Sequence, residues 1–305
     1  MSYDVLQYAE DYTVRTDEVE IVLGEPMRYH TNFRIGGSAE LFVSPYSEDA
    51  LAIGLEMCRK REIPYTVIGR GSNLLVSDRG IRGVVFDLST LTGYRFDGNT
   101  VFALAGTTLA ALAGKAAERG LSGLEFAAGI PGSLGGAVFM NAGAYGGEMK
   151  DIVESARVMD EAGRIRTLSA EELELSYRHS KLEETGEILL SAVLRLKSGD
   201  RAEIERTMQE LAEKRRDKQP LNYPSAGSTF KRPAGHFAGK LIEEAGLKGF
   251  SVGGAQVSEK HAGFVINKGG ATAADVMALC REVQARVKEN SGVDLELEVR
   301  LVGEW

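Results

Sequence analysis

The chain has 305 residues, of which 43% are hydrophobic and 26% charged, and a net charge of -8. That balance describes an ordinary globular protein with room for two or three domains. It excludes a broad nucleic-acid surface but permits a local basic pocket for one phosphorylated ligand.

Glycine stands out: the 36 residues cluster in loops, which suggests backbone brought close to a ligand. The two cysteines, Cys58 and Cys280, make neither a disulfide framework nor a metal-ligand spacing. Both fall on apolar helix faces and read as buried thiols. The four histidines are scattered, so no metal site is expected. The N-terminal stretch lacks the basic start and apolar run of a secretory signal. No segment of about 20 apolar residues occurs, so no membrane span is expected and a cytoplasmic location follows.

In chain order, Ser47 to Glu62 reads as a helix capped by Ser47, with Leu51, Leu55 and Cys58 on one face, ended by Pro64. Tyr65 to Ile68, Leu74 to Val76 and Val84 to Leu88 read as strands. A helix from Thr107 to Arg119 carries Leu109, Leu112, Ala113 and Ala116 as its stripe, and Gly120 suits its C-terminal end. Strands are expected at 153–159 and 188–196. Between them, Ser169 and Glu172 have capping-box spacing for a short helix. Residues 200–216 read as a helix with Ile204, Met208 and Leu211 on one face. Pro220 and Pro224 then break the pattern. Helices near 237–246 and 272–290 follow, the second started by Thr272 and Asp275, with strands at 264–267 and 295–302. In the last strand Leu295, Leu297, Val299 and Leu301 alternate with Glu296, Glu298 and Arg300.

Two loops suit phosphate. The first is GRGSN at 69–73, between two strands; its glycines let successive N–H groups face one concavity. The second is GIPGSLGG at 129–136, followed by NAGAYGG at 141–147. Neither is a Rossmann fingerprint or a Walker A loop. Either loop alone reads equally as a tight turn. Together they favour a dinucleotide, whose pyrophosphate needs many donors. In the last third, the loop at 225–233 combines Ser228 with Lys231 and Arg232. Arg178 follows a predicted helix, and Glu298 lies on the polar face of the last strand. Taken singly, each also reads as an ordinary surface residue.

These motifs, in this order, resemble the bacterial UDP-N-acetylenolpyruvoylglucosamine reductase (MurB) family over nearly the whole chain. The matching runs are HTNFRIGG at 30–37, GRGSN at 69–73, GIPGSLGG at 129–136, NAGAYG at 141–146, YRHS at 177–180, PSAGSTFKRP at 224–233 and LEVR at 297–300. The form is similar to the shorter subclass, which lacks an inserted substrate-capping loop.

The resemblance implies an α+β protein. It has a two-part FAD-binding domain of the vanillyl-alcohol-oxidase (PCMH) type, residues 1–91 and 92–218, and a C-terminal α+β substrate-binding domain, residues 219–305. It implies that NADPH reduces a non-covalent FAD, which then passes hydride to the enolpyruvyl group of UDP-N-acetylglucosamine-enolpyruvate. The product would be UDP-N-acetylmuramate, for peptidoglycan synthesis. Ser228 would protonate C2, and Arg178 and Glu298 would polarise the substrate carboxylate, each group of this kind being worth about 3–4 kcal/mol. Whether Glu298 acts protonated or paired with Arg178 stays open. The flavin would lie on Gly69, Arg70, Gly71, Ser72, Asn73 and Leu74, on Gly129, Ile130, Pro131, Gly132, Ser133, Gly135 and Gly136, and on Asn141 and Gly143. Lys218, Lys231 and Arg232 are expected at the substrate diphosphate, with Tyr145 standing in for a tyrosine of the missing loop. No nucleic acid or membrane is expected as a partner, and the chain would be a monomer or weak homo-oligomer. A non-catalytic sensor and an oxygen-using FAD oxidase are the competing readings. The first would have lost its catalytic groups, and the second leaves the Ser228 loop unexplained.

Overall fold

Ser47 does start a helix: its hydroxyl accepts from Ala50 N–H at 3.1 Å, ahead of Glu48–Lys60. In the computed structural model, which describes residues 3–305, this helix buries Leu51, Leu55 and Cys58. Burial pushes the Cys58 thiol up to about 11 and that of Cys280 up to about 12, so both stay protonated and serve as packing.

The chain forms two compact units. One comprises the residues up to Leu23, Glu40–Arg70 and Gly83–Lys214; the other comprises Gly24–Ala39, Gly71–Arg82 and Arg215–Trp305.

The first unit holds two sheets. A four-stranded sheet has the order Val19–Leu23, Ala39–Pro45, Ile81–Asp87, Tyr65–Ile68. Its outer pairs are antiparallel and parallel respectively. The helix Tyr3–Arg15 lies against Glu48–Lys60, with Tyr8 donating to Gly54 O at 2.9 Å and Tyr12 to Ala50 O at 2.5 Å. Gly54 is required there, because an added Cβ would come within 2.6 Å of the Tyr12 hydroxyl and 2.7 Å of the Phe86 ring. The second sheet is antiparallel, in the order Ile165–Ser169, Val153–Met159, Ile188–Arg195, Thr100–Leu104, Tyr94–Asp97. Against it pack Leu109, Leu112, Ala113 and Ala116 of the helix Leu109–Glu118 and Leu134, Ala137 and Val138 of the helix Leu134–Phe139.

In the second unit, the helices Ala238–Glu244 and Ala273–Ser291 share one core with a small sheet of Ser251–Val252, Ala255–Val257 and Val265–Asn267. The expected capping box forms at Thr272 and Asp275. Phe33, Ile35 and Leu75 enter the same core, and Leu74–Val76 pairs in parallel with Arg300–Val302. Residues 24–39 and 71–82 thus pack with the C-terminal third.

Three local expectations change. Ser169 and Glu172 do exchange their two bonds, at 2.8 and 3.2 Å, but turns follow instead of a helix. Glu174, at φ +46°, stops propagation, so Arg178 follows no helix. The helix expected from about Thr107 begins at Leu109, capped by Thr108, whose hydroxyl accepts from Ala111 N–H. The strand expected over 295–302 is regular only at Arg300–Val302, with an isolated bridge from Leu297 to Phe230. Its two halves pair with different segments, and Leu301 turns out 40% exposed while Leu295 and Val299 are 4% exposed.

Candidate active site

In the first unit, the strand Tyr65–Ile68 delivers Gly69 against the second glycine-rich loop. A Cβ on Gly69 would stand 2.5 Å from Ser133 Oγ, so the two loops meet where no side chain fits. The second loop is stitched onto the end of the antiparallel sheet. Leu109 N–H donates to Gly132 O at 3.1 Å, Leu134 N–H to Thr107 O at 2.9 Å and Gly135 N–H to Ala105 O at 2.8 Å. Ser133 is 3% exposed, yet its hydroxyl does not cap the helix that follows. Gly136 faces open space, the nearest atom to an added Cβ being Ser133 Oγ at 4.0 Å. The helix Leu134–Phe139 lies inside a stretch that reads as loop, because Gly135 and Gly136 hide its periodicity.

Gly71 begins the second unit's share of the first loop. It sits at φ +59° with its Cα against the His30 carbonyl, so a side chain is excluded on both counts. Asn32 N–H donates to Gly71 O at 3.1 Å. Gly71 and Ser72 spend no backbone N–H on acceptors among the described residues. Side-chain-free glycines and uncommitted N–H groups are the donor set that a flavin pyrophosphate requires, so these loops fit FAD.

Asn141, expected at the flavin, is 0% exposed. Its Nδ2 donates to Glu148 Oε2 at 2.7 Å and Ser176 O at 2.9 Å, and its Oδ1 accepts from Lys150 N–H at 2.9 Å. Both donor hydrogens are used within the protein, so the side chain has none left for a cofactor. Gly143–Ala144 pairs with Gly147–Glu148 around Tyr145 and Gly146, both at positive φ, as a two-residue hairpin turn needs. Tyr145 is 46% exposed at that tip. Ser176 and His179 exchange backbone bonds of 3.1 and 3.2 Å, leaving Tyr177 and Arg178 as the turn. Arg178 holds φ +54°, an uncommon conformation for a side chain of its size and one that concentrates at functional sites. Its guanidinium reaches Gly143 O at 3.4–3.5 Å and lies over the Tyr177 ring at 5.4 Å.

In the second unit, Ser228 is half-buried between Gly227, at φ +79°, and Thr229, which is 2% exposed. Thr229 is held at every polar group. Its N–H donates to Gly263 O at 2.9 Å, its Oγ1 accepts from Val265 N–H at 2.9 Å, and its carbonyl accepts from Glu298 N–H at 2.8 Å. Glu298 O in turn accepts from Asn73 Nδ2 at 3.1 Å, and Asn73 O accepts from Arg300 N–H at 2.9 Å. The structure therefore links Ser228, Glu298 and the end of the first glycine-rich loop through one chain of hydrogen bonds. Thr229 was missed from sequence, where it reads as filler beside Ser228.

The expected diphosphate residues differ in their partners. Lys231 is half-exposed and pairs with Glu296 at 3.5 Å. Arg232 stacks on Phe237 at 3.9 Å and donates to His236 O at 3.3 Å. Lys218 is exposed at the end of the helix Arg201–Lys218. Burial lowers the pKa of His261, and the Lys218 and Lys248 charges lower it further.

Residues 39–169 match the FAD binding domain family model. Residues 219–302 match the model of the UDP-N-acetylenolpyruvoylglucosamine reductase C-terminal domain. A UDP-N-acetylenolpyruvoylglucosamine reductase from Clostridium perfringens is 51% identical over 300 residues, spanning 97% of this chain and 99% of that one. The chain belongs to the UDP-N-acetylenolpyruvoylglucosamine reductase family. A second reductase of the family, from Caldanaerobacter subterraneus, is 52% identical over 287 residues, 94% of this chain and 95% of its own. The crystal structure of the Thermus caldophilus reductase superposes with a TM-score of 0.79 at 39% identity, covering 93% of this chain and 98% of that one. The reductase family brings with it the α+β fold expected from sequence, an FAD-binding domain plus a C-terminal domain. No helix among the described residues is long and apolar enough to cross a membrane.

Proposed function

We propose that this chain reduces the enolpyruvyl group of UDP-N-acetylglucosamine-enolpyruvate to UDP-N-acetylmuramate, a step of peptidoglycan precursor synthesis, with NADPH as reductant. Bound FAD would supply the redox chemistry, a two-electron transfer between NADPH and the substrate. The loops at 69–74 and 129–136 hold it without a covalent link. Gly143 serves that site through its backbone, whereas the Asn141 side chain is spent on Glu148, Ser176 and Lys150 and does not contact the cofactor.

Ser228 delivers a proton to C2 of the substrate. Its hydroxyl is a weak acid, but the carbon it meets is strongly basic once hydride has added at C3, so the transfer is downhill. Arg178 neutralises the substrate carboxylate, and Glu298 works beside the developing enolate. Lys218, Lys231 and Arg232 offer positive charge to the diphosphate, Tyr145 an aromatic face to the substrate. The observation that carries the reading is the Thr229 link: the residue after Ser228 accepts the Glu298 N–H at 2.8 Å, so both groups hang on one rigid backbone node.

The finer assignments travel with this reading: flavin subdomains 1–91 and 92–218, a substrate domain 219–305, a cytoplasmic location, and a monomer or weak homo-oligomer.

The test separates the two half-reactions anaerobically. Ser228→Ala should leave reduction of the flavin by NADPH near wild type. It should slow reoxidation by UDP-N-acetylglucosamine-enolpyruvate by roughly 10²–10⁴-fold, the usual worth of a positioned acid. Equal slowing of both steps would make Ser228 structural. A wild-type flavin that reoxidises fast in air and ignores the enolpyruvyl compound would make the protein an oxidase.

A further inference from the structure

The turn that carries Arg178 is strapped at both ends to one short segment. At its start, Asn141 Nδ2 donates to Ser176 O at 2.9 Å. At its end, Ser180 Oγ donates to Phe139 O at 2.5 Å. Phe139 closes the helix Leu134–Phe139, which continues directly from the second glycine-rich loop. Asn141 and Ser180 are both 0% exposed, so the donor of each bond is shielded from water.

Asn141 also gathers the neighbouring hairpin. Its second donor goes to Glu148 Oε2 and its oxygen accepts Lys150 N–H. That hairpin holds Gly143, whose carbonyl the Arg178 guanidinium reaches. A left-handed φ at an arginine persists only where its surroundings over-determine it. These straps supply that constraint.

We propose that Asn141 and Ser180 are positioning residues for Arg178, fixing its turn to the helix that leaves the flavin loop. The role rests on the reading that Arg178 meets the substrate carboxylate. Neither residue touches the reacting atoms. Both act through the guanidinium, and a displacement of about 1 Å at such a group costs up to ~10²-fold in rate.

Asn141→Asp removes both donors at nearly constant volume and sets a carboxylate beside Glu148. Ser180→Ala removes the other strap and leaves the rest intact. In FAD-loaded protein, each variant should keep flavin reduction by NADPH and FAD content within about twofold of wild type. Reoxidation by the enolpyruvyl substrate should fall about 10–100-fold. Calorimetric Kd for UDP-N-acetylmuramate, which needs no turnover, should rise. The deciding measurement is the cycle with Arg178→Lys: a strap acting through Arg178 adds little once Arg178 is changed. Multiplicative losses in the double variants would overturn the role, as would a parallel fall in flavin reduction and FAD content. If Asn141→Asp fails to fold, Ser180→Ala decides alone by the same criteria. A wild-type flavin that the enolpyruvyl substrate does not reoxidise would instead bring down the functional reading, and this role with it.

Discussion

Thr229→Val tests the hydrogen-bonded node beneath Ser228. Valine matches threonine in shape, so no cavity opens and the change isolates one hydroxyl. That hydroxyl accepts the Val265 N–H at 2.9 Å, and the two residues are 2% and 1% exposed. Removing the acceptor strands a buried donor, a loss of about 1–3 kcal/mol. Each kcal/mol corresponds to about 2–4 °C of Tm in chains of 150–250 residues, so a fall of several degrees is expected. Thr229→Ser is the control: it keeps the acceptor and loses one methyl group, at about 1 kcal/mol. Thermal melts of the FAD-loaded proteins compare the two. Val265 N–H would also pull the 263–265 segment away from Thr229, so Thr229→Val should slow substrate reduction more than flavin reduction. A Thr229→Val protein as stable as wild type, beside a weakened Thr229→Ser, would mean that methyl packing holds the node and the reasoning is wrong.

Gly69→Ala places a Cβ 2.5 Å from Ser133 Oγ, and relieving that overlap by moving either loop costs about 1–3 kcal/mol. FAD retention on gel filtration should fall, and adding Ser133→Ala should recover thermal stability; unchanged retention and Tm in the single variant would mean that the loops do not meet. Glu187 is 7% exposed and accepts two bonds from Arg166, at 2.6 and 2.7 Å, which hold its carboxyl below the ordinary value of 4.5. A depressed folded-state pKa stabilises the fold above the unfolded value and loses that contribution as pH falls below it. Glu187→Gln should therefore cost about 1–2 kcal/mol at pH 7, discounted for the half-exposed arginine, and progressively less below pH ~4.5. Urea unfolding at several pH values reads this, and a gap that does not narrow in acid would rule the pair out as its source.

Features coded within a few residues were legible in the sequence. Ser47 and Thr272 cap their helices as read, and the strands Tyr65–Ile68, Leu74–Val76 and Val153–Met159 have the expected bounds. These signals are local because a cap, an apolar stripe or a glycine at positive φ is decided by near neighbours. The ordered motifs likewise carried the family, and with it the flavin fold. The helix Leu134–Phe139 was not legible, since two glycines masked it and its hydrogen bonds to Ala105 and Thr107 hold it in place. Nor were the roles of Asn141 and Thr229. Asn141 reads as one more polar residue of a glycine-rich loop until its partners at Glu148, Lys150 and Ser176 are seen. Thr229 finds its acceptor's donor 36 residues away, and Asn73 reaches Glu298 across 225. Local patterns therefore determined most of the helices and strands, and the ordered motifs, through the family they resemble, determined which chemistry the chain carries. Only the tertiary structure decided which distant groups hold Ser228, Glu298 and Arg178 in place, because a buried polar group must be satisfied by whatever the packed core brings to it.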